Sequence, residues 1–69
     1  AAPPQIKLTK REIDVLRLIA VGKTTPQISN ELFIAPSTVE THRRNLIEKT
    51  GAPNSKGLVK YAIENGYID

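Results

Sequence analysis

The stretch from Thr24 to Gly51, TTPQISNELFIAPSTVETHRRNLIEKTG, decides the fold. Thr24 followed three residues later by Gln27 is a capping box, in which a hydroxyl accepts from a free backbone N–H and an amide reaches back. Pro26 is tolerated in the first turn because its missing N–H has no helical partner there. Ile28 and Leu32 form an i, i+4 apolar pair, and a short helix is predicted over about 25–32. Phe33-Ile34-Ala35 is a tight connection, and Pro36 opens a second, longer helix that runs to about Thr50, with Gly51 as its stop. Ala35 is a poor cap, so Ser37 or Thr38 is expected to satisfy the free N–H groups at this start. Two helices joined by about three residues have a helix-turn-helix layout.

One helix is predicted on either side of this pair. Upstream, Thr9 and Glu12 form another capping box, with Leu8 and Ile13 at the staple positions that set the angle of the incoming chain. Ile13, Leu16, Ile19 and Ala20 recur at helical spacing as an inner face over about 10–21, and Gly22 supplies a left-handed stop. Downstream, Ala52-Pro53-Asn54 is a turn, Asn54 can cap a helix over about 55–65, and Val59, Ala62 and Ile63 give its inner face. Gly57 inside that helix costs about 1 kcal/mol relative to Ala. Gly66 ends it, with Tyr67 and Ile68 folding back as an apolar contact. The fold class is therefore all-α, a four-helix bundle with no strand signal. Pro3 and Pro4 mark residues 1–7 as a linker or tail, and 8–69 as the folded domain.

The chain has 69 residues, enough for one small domain and too few for large α/β enzymes, propellers or barrels. Leu, Ile, Val and Phe account for 19 of them, above the roughly 20% floor of disordered chains, so a core forms without staples. Cysteine is absent and there is one histidine, which excludes disulfides and leaves no ligand set for zinc. No apolar run approaches the roughly 18 residues of a membrane span, and no signal segment opens the chain. Met is absent even at position 1, so the domain is expected to be excised from a longer product. Ten Lys and Arg against seven Asp and Glu give a net charge of +3, which permits a nucleic-acid partner and does not demand one.

On the helix that starts at Pro36, steps of about 100° per residue turn Val39, Leu46 and Thr50 inward, with Ile47 on a flank. The opposite face carries Ser37, Thr41, Arg44 and Glu48, with Thr38, Glu40 and Asn45 on its shoulders. Such a face is ordinarily just solvated. It can also read a major groove, where Arg suits guanine, Glu accepts from the cytosine amino group and Thr offers a methyl or a hydroxyl. Hydroxyls at the helix start suit phosphates. His42 has no oriented partner at catalytic spacing, and packing is its leading reading. No nucleophile, base and oxyanion donor can be assembled, so the chain is not read as an enzyme.

The order of three motifs resembles the LuxR/FixJ-type DNA-binding domain of bacterial transcription regulators. They are Leu8-Thr9-Lys10-Arg11-Glu12 with Val15-Leu16, then Ile28-Ser29-Asn30-Glu31-Leu32, then Thr38-Val39-Glu40-Thr41-His42. The resemblance covers about nine-tenths of the chain and implies a LuxR-type helix-turn-helix bundle. It implies base-edge contacts from Glu40, Thr41 and Arg44. It implies phosphate contacts from Thr24, Thr25, Ser37, Thr38, His42 and Arg43, and a dimer surface on the fourth helix, where Leu58, Tyr61 and Asn65 make a stripe away from the expected inner face. It further implies double-stranded DNA as the ligand, a homodimer on a two-fold-related site, and a cytoplasmic response regulator of a two-component system. The chain would lack its N-terminal regulatory domain, with RNA polymerase a further partner. No cofactor, metal or membrane is implied. Four residues depart from the pattern: Pro26 and Glu40 stand where Lys is frequent, Ala35 replaces a common Ser cap, and Gly57 replaces a helix former. Two rivals remain, the promoter-reading domain of a sigma factor, which lacks the Thr-x-His run, and a helical protein-interaction module acting through Leu58 and Tyr61.

Overall fold

Two capping boxes start the first two helices of the computed structural model, which describes residues 7–68. Helix α1 spans Lys10–Ala20, α2 Thr25–Leu32, α3 Pro36–Thr50 and α4 Ser55–Glu64. The linker reading of residues 1–7 falls, apart from Lys7, outside the described residues, as does Asp69. Thr9 Oγ1 accepts from Glu12 N at 3.1 Å while Thr9 N donates to Glu12 Oε1 at 2.8 Å. Thr24 and Gln27 repeat the exchange at 3.4 and 2.8 Å. At α3 neither Ser37 nor Thr38 caps the start, contrary to expectation. Pro36 removes one free donor, and the Ala35 carbonyl accepts from Thr38 N and Val39 N at 2.9 and 3.1 Å.

Gly22, at φ +95°, closes α1 with Gly22 N donating to Ile19 O and Lys23 N to Leu18 O, both at 3.0 Å. Between α2 and α3 the left-handed position is held by Phe33 at φ +56°, a residue with a Cβ penalty there. Ile34 N donates to Ser29 O at 3.2 Å and Ser29 Oγ donates to Ile34 O at 2.5 Å, which fastens the turn.

The core joins all four helices: Val15, Leu16 and Ile19 from α1, Ile28 from α2, Val39 and Leu46 from α3, Leu58 and Ala62 from α4. Helix α1 packs on the other three; α2 and α4 each pack on α3 but not on each other among the described residues. In α1 the buried face turns toward Val15, so Ile13 and Ala20 sit at its edge, half-buried. In α4 the expected phase is corrected: Leu58 is fully buried, Val59 and Tyr61 are half-buried, and Ile63 is 54% exposed. The apolar residues of α4 cover about 200° of its circumference at about 100° per residue. Ala62 lies at the centre of that arc with Leu58 beside it, and Ile63 falls at one margin. Leu58 therefore belongs to the core and not to an outer stripe. Tyr61 stacks on Tyr67 with centroids 6.1 Å apart, so the returning tail covers it.

Gly57 is required by close approach. A Cβ there would lie 2.7 Å from Pro53 Cδ and 3.0 Å from Ala52 Cβ. Propensity alone favours Gly57→Ala by about 1 kcal/mol, but a rigid ring in the way reverses the sign. Gly57→Ala is expected to lower stability by about 1–3 kcal/mol, read as a fall in the urea midpoint.

Glu12 is 3% exposed and does more than cap: Lys49 Nζ, at the end of α3, donates to its Oε1 at 2.7 Å. Burial pushes the carboxyl up, but Lys49 and the Thr9 N–H outweigh it and hold it below the ordinary carboxylate value. A lowered native value means the stabilisation is complete above the unfolded-state value and is lost as pH falls through the native one. The urea midpoint should drop on acidification through that window, and Glu12→Gln should lower the midpoint at pH 7 and flatten the acid limb.

Candidate nucleic-acid interface

Packing Val39 and Leu46 into the core fixes the roll of α3 and turns Ser37, Thr41, Arg44 and Glu48 to solvent, all exposed. Arg44 has no carboxylate within salt-bridge distance among the described residues, whereas Arg43 pairs with Glu40. Thr41 Oγ1 donates to Ser37 O at 3.0 Å, so its hydroxyl proton is committed to the helix while its methyl and lone pairs stay available. Thr24, the α2 cap, is exposed; Thr38 and His42 are half-buried, and no hydrogen-bond partner for His42 is present among the described residues. Thr25, Glu40 and Arg43 are half-buried and bonded to one another, with Thr25 Oγ1 donating to Glu40 Oε2 at 2.6 Å.

The fourth-helix residues do not gather with these. Leu58 is in the core, Tyr61 is under the tail, and the Asn65 amide donates to Tyr61 O at 2.9 Å, ending its own helix. The exposed stripe of α4 is instead Lys56, Lys60, Ile63 and Glu64.

Two residues missed in the sequence join the α3 face. Ser55 accepts from Arg43 Nη1 at 3.2 Å, and Lys56 lines with Arg43, Arg44, Glu40 and Asn54 an open groove of about 600 Å³ between α3 and the start of α4. The sequence carried a signal for it. The helix dipole favours acidic residues in a first turn. Yet α2, α3 and α4 have none there, α4 carries Lys56, and only α1, which starts elsewhere, carries Glu12. The starts of α2 and α4 both meet the first two turns of α3, and together they bring to this side of the molecule positive helix ends that no first-turn acid offsets. A convex helix with an unpaired guanidinium, flanked by positive helix starts, matches a phosphate-walled groove in shape and sign. No described helix is long and apolar enough to cross a membrane.

The sequence matches a known family and known proteins. Residues 7–62 match the family model of bacterial regulatory proteins, luxR family. The chain is 43% identical over 61 residues to the transcriptional regulatory protein MctR of Rhizobium johnstonii, covering 88% of this chain and 28% of that protein. It is 42% identical over 69 residues to the probable transcriptional regulatory protein NarL of Mycobacterium tuberculosis, covering 100% of this chain and 32% of that protein. With LiaR of Bacillus subtilis it shares 41% identity over 68 residues, 99% of this chain and 32% of the relative. The chain thus spans about a third of the length of these relatives. Four helices, the helix-turn-helix pair and the matched family give one conclusion: the chain belongs to the luxR family of bacterial regulatory proteins, as the DNA-binding domain of a transcription regulator.

Proposed function

We propose that this domain lays α3 in the major groove of double-stranded DNA, with Arg44 and Thr41 at base edges. The exposed, unpaired Arg44 at the centre of the outer face carries the reading, because a fork of donors there fits guanine bidentately. Thr24, Ser37 and Thr38 lie at the starts of α2 and α3, where side-chain and backbone donors suit flanking phosphates. The domain performs no chemistry; it is the output end of a longer cytoplasmic regulator, a response regulator of a two-component system, with its regulatory domain N-terminal to Lys7. Two copies bind half-sites about one helical turn apart, paired through the exposed stripe of α4 around Ile63, and the bound dimer meets RNA polymerase. Identity to NarL, LiaR and the oxygen regulatory protein NreC of Staphylococcus carnosus supports this wider setting. Selection from a random-sequence duplex pool tests the reading. Enrichment of a two-fold-related sequence, competed poorly by random duplex, is expected; a pool that stays random after repeated rounds contradicts it.

A further inference from the structure

The backbones of helices α2 and α4 do not come within 8 Å of each other among the described residues, yet their first residues are joined by a chain of polar groups routed through α3. Thr25 donates to one oxygen of Glu40, the other accepts from Arg43 Nη2, and Arg43 Nη1 donates to Ser55. The Thr25 hydroxyl foremost, with Arg43 and Arg44, offsets burial and holds the Glu40 carboxyl below its ordinary value, so it is an anion at neutral pH. Each carboxylate oxygen already accepts one bond, which draws Glu40 toward Thr25 and Arg43. The guanidinium has two of its five donors on Glu40 and Ser55 and its charge offset by the carboxylate.

We propose that Glu40 is a positioning residue that limits sequence-independent affinity for DNA and not a reader of bases: it holds Arg43 back from the phosphate backbone and ties the starts of α2 and α4 to α3. The inference rests on the DNA-binding reading above. Its physical content is that a phosphate contact strengthens binding to every sequence alike. Withholding one lowers the affinity for random and preferred sequence by the same factor, so random DNA is occupied less while the ratio between the two stays as it was. A Lys at position 40, frequent in relatives by the resemblance above, could not hold Arg43 in this way.

Glu40→Gln is the test. It keeps an oxygen for Thr25 at nearly unchanged volume and removes the charge that restrains Arg43. Unsubstituted and variant domains are titrated with a random-sequence duplex and with a duplex selected by the unsubstituted domain, across a salt range. Asp14→Asn is the control, since it makes the same charge change on the outer side of α1, away from the α3 face. The variant at 40 should bind random duplex about three- to tenfold tighter at low salt, with a log–log salt slope steeper by about 0.9, one phosphate more. Its preferred sequence and its preference ratio should both be unchanged, while the control keeps the original slope. A changed base preference at one position with an unchanged slope would make Glu40 a base reader and overturn the proposal. So would equal steepening in the control, which would assign the effect to bulk charge, or no change at all. Failure of the unsubstituted domain to bind either duplex overturns the DNA-binding reading itself, and is told apart because it needs no variant.

Discussion

Leu58→Ala destabilises the domain by about 2–5 kcal/mol, the range for deleting a fully buried leucine side chain and leaving a cavity. Leu58 is fully buried between α4 and the core formed with α1 and α3. A domain of this size holds in total only about 3–9 kcal/mol at about 0.05–0.15 kcal/mol per residue. The variant is therefore expected to be largely or wholly unfolded at 37 °C, with a lost or much lowered melting transition by circular dichroism. Were Leu58 a surface residue that pairs two copies, the same substitution would leave the melting of a dilute monomer within about 0.5 kcal/mol and reduce only association. The two placements of this residue give opposite results in one thermal melt.

Arg44→Ala is expected to leave the fold intact and to weaken binding to the preferred duplex by about 1–3 kcal/mol, roughly five- to 150-fold. The side chain is exposed and makes no salt bridge among the described residues, so its loss breaks no direct ion pair of the fold. Losing a bidentate guanine contact should also relax the preference at a single base pair. An equal loss on random duplex, with the base preference intact, would place Arg44 on phosphate and move the reading of sequence to other side chains.

What could be read from the sequence divides along a physical line. The ends of the helices were legible because caps are local: Thr9 with Glu12, Thr24 with Gln27, Asn54 and Gly22 each act within a few residues of themselves. The outer face of α3 was legible too, since Val39 and Leu46 fix its roll by simple periodicity. The phase of α4 was not, because its apolar residues cover more than half the circumference and the returning Tyr67 decides which margin is covered. Contacts between distant residues were out of reach for the same reason. Glu12 meets Lys49 across 37 positions, and Glu40 reaches Thr25 across 15. The cost assigned to Gly57 is expected to change sign, because propensity knows nothing of the proline ring beside it. Site chemistry followed suit: Glu40 looked like a free acceptor on a helix shoulder, and folding supplies it with two partners.

The most direct test of the central claim is to map amide shifts in a ¹H–¹⁵N spectrum of the domain as a selected duplex is added. The largest changes are expected at Ser37, Thr41 and Arg44 and at the starts of α2 and α4, with Arg11 and Asp14 on the outer side of α1 unmoved. Changes concentrated on Lys60, Ile63 and Glu64, with α3 unperturbed, would contradict it.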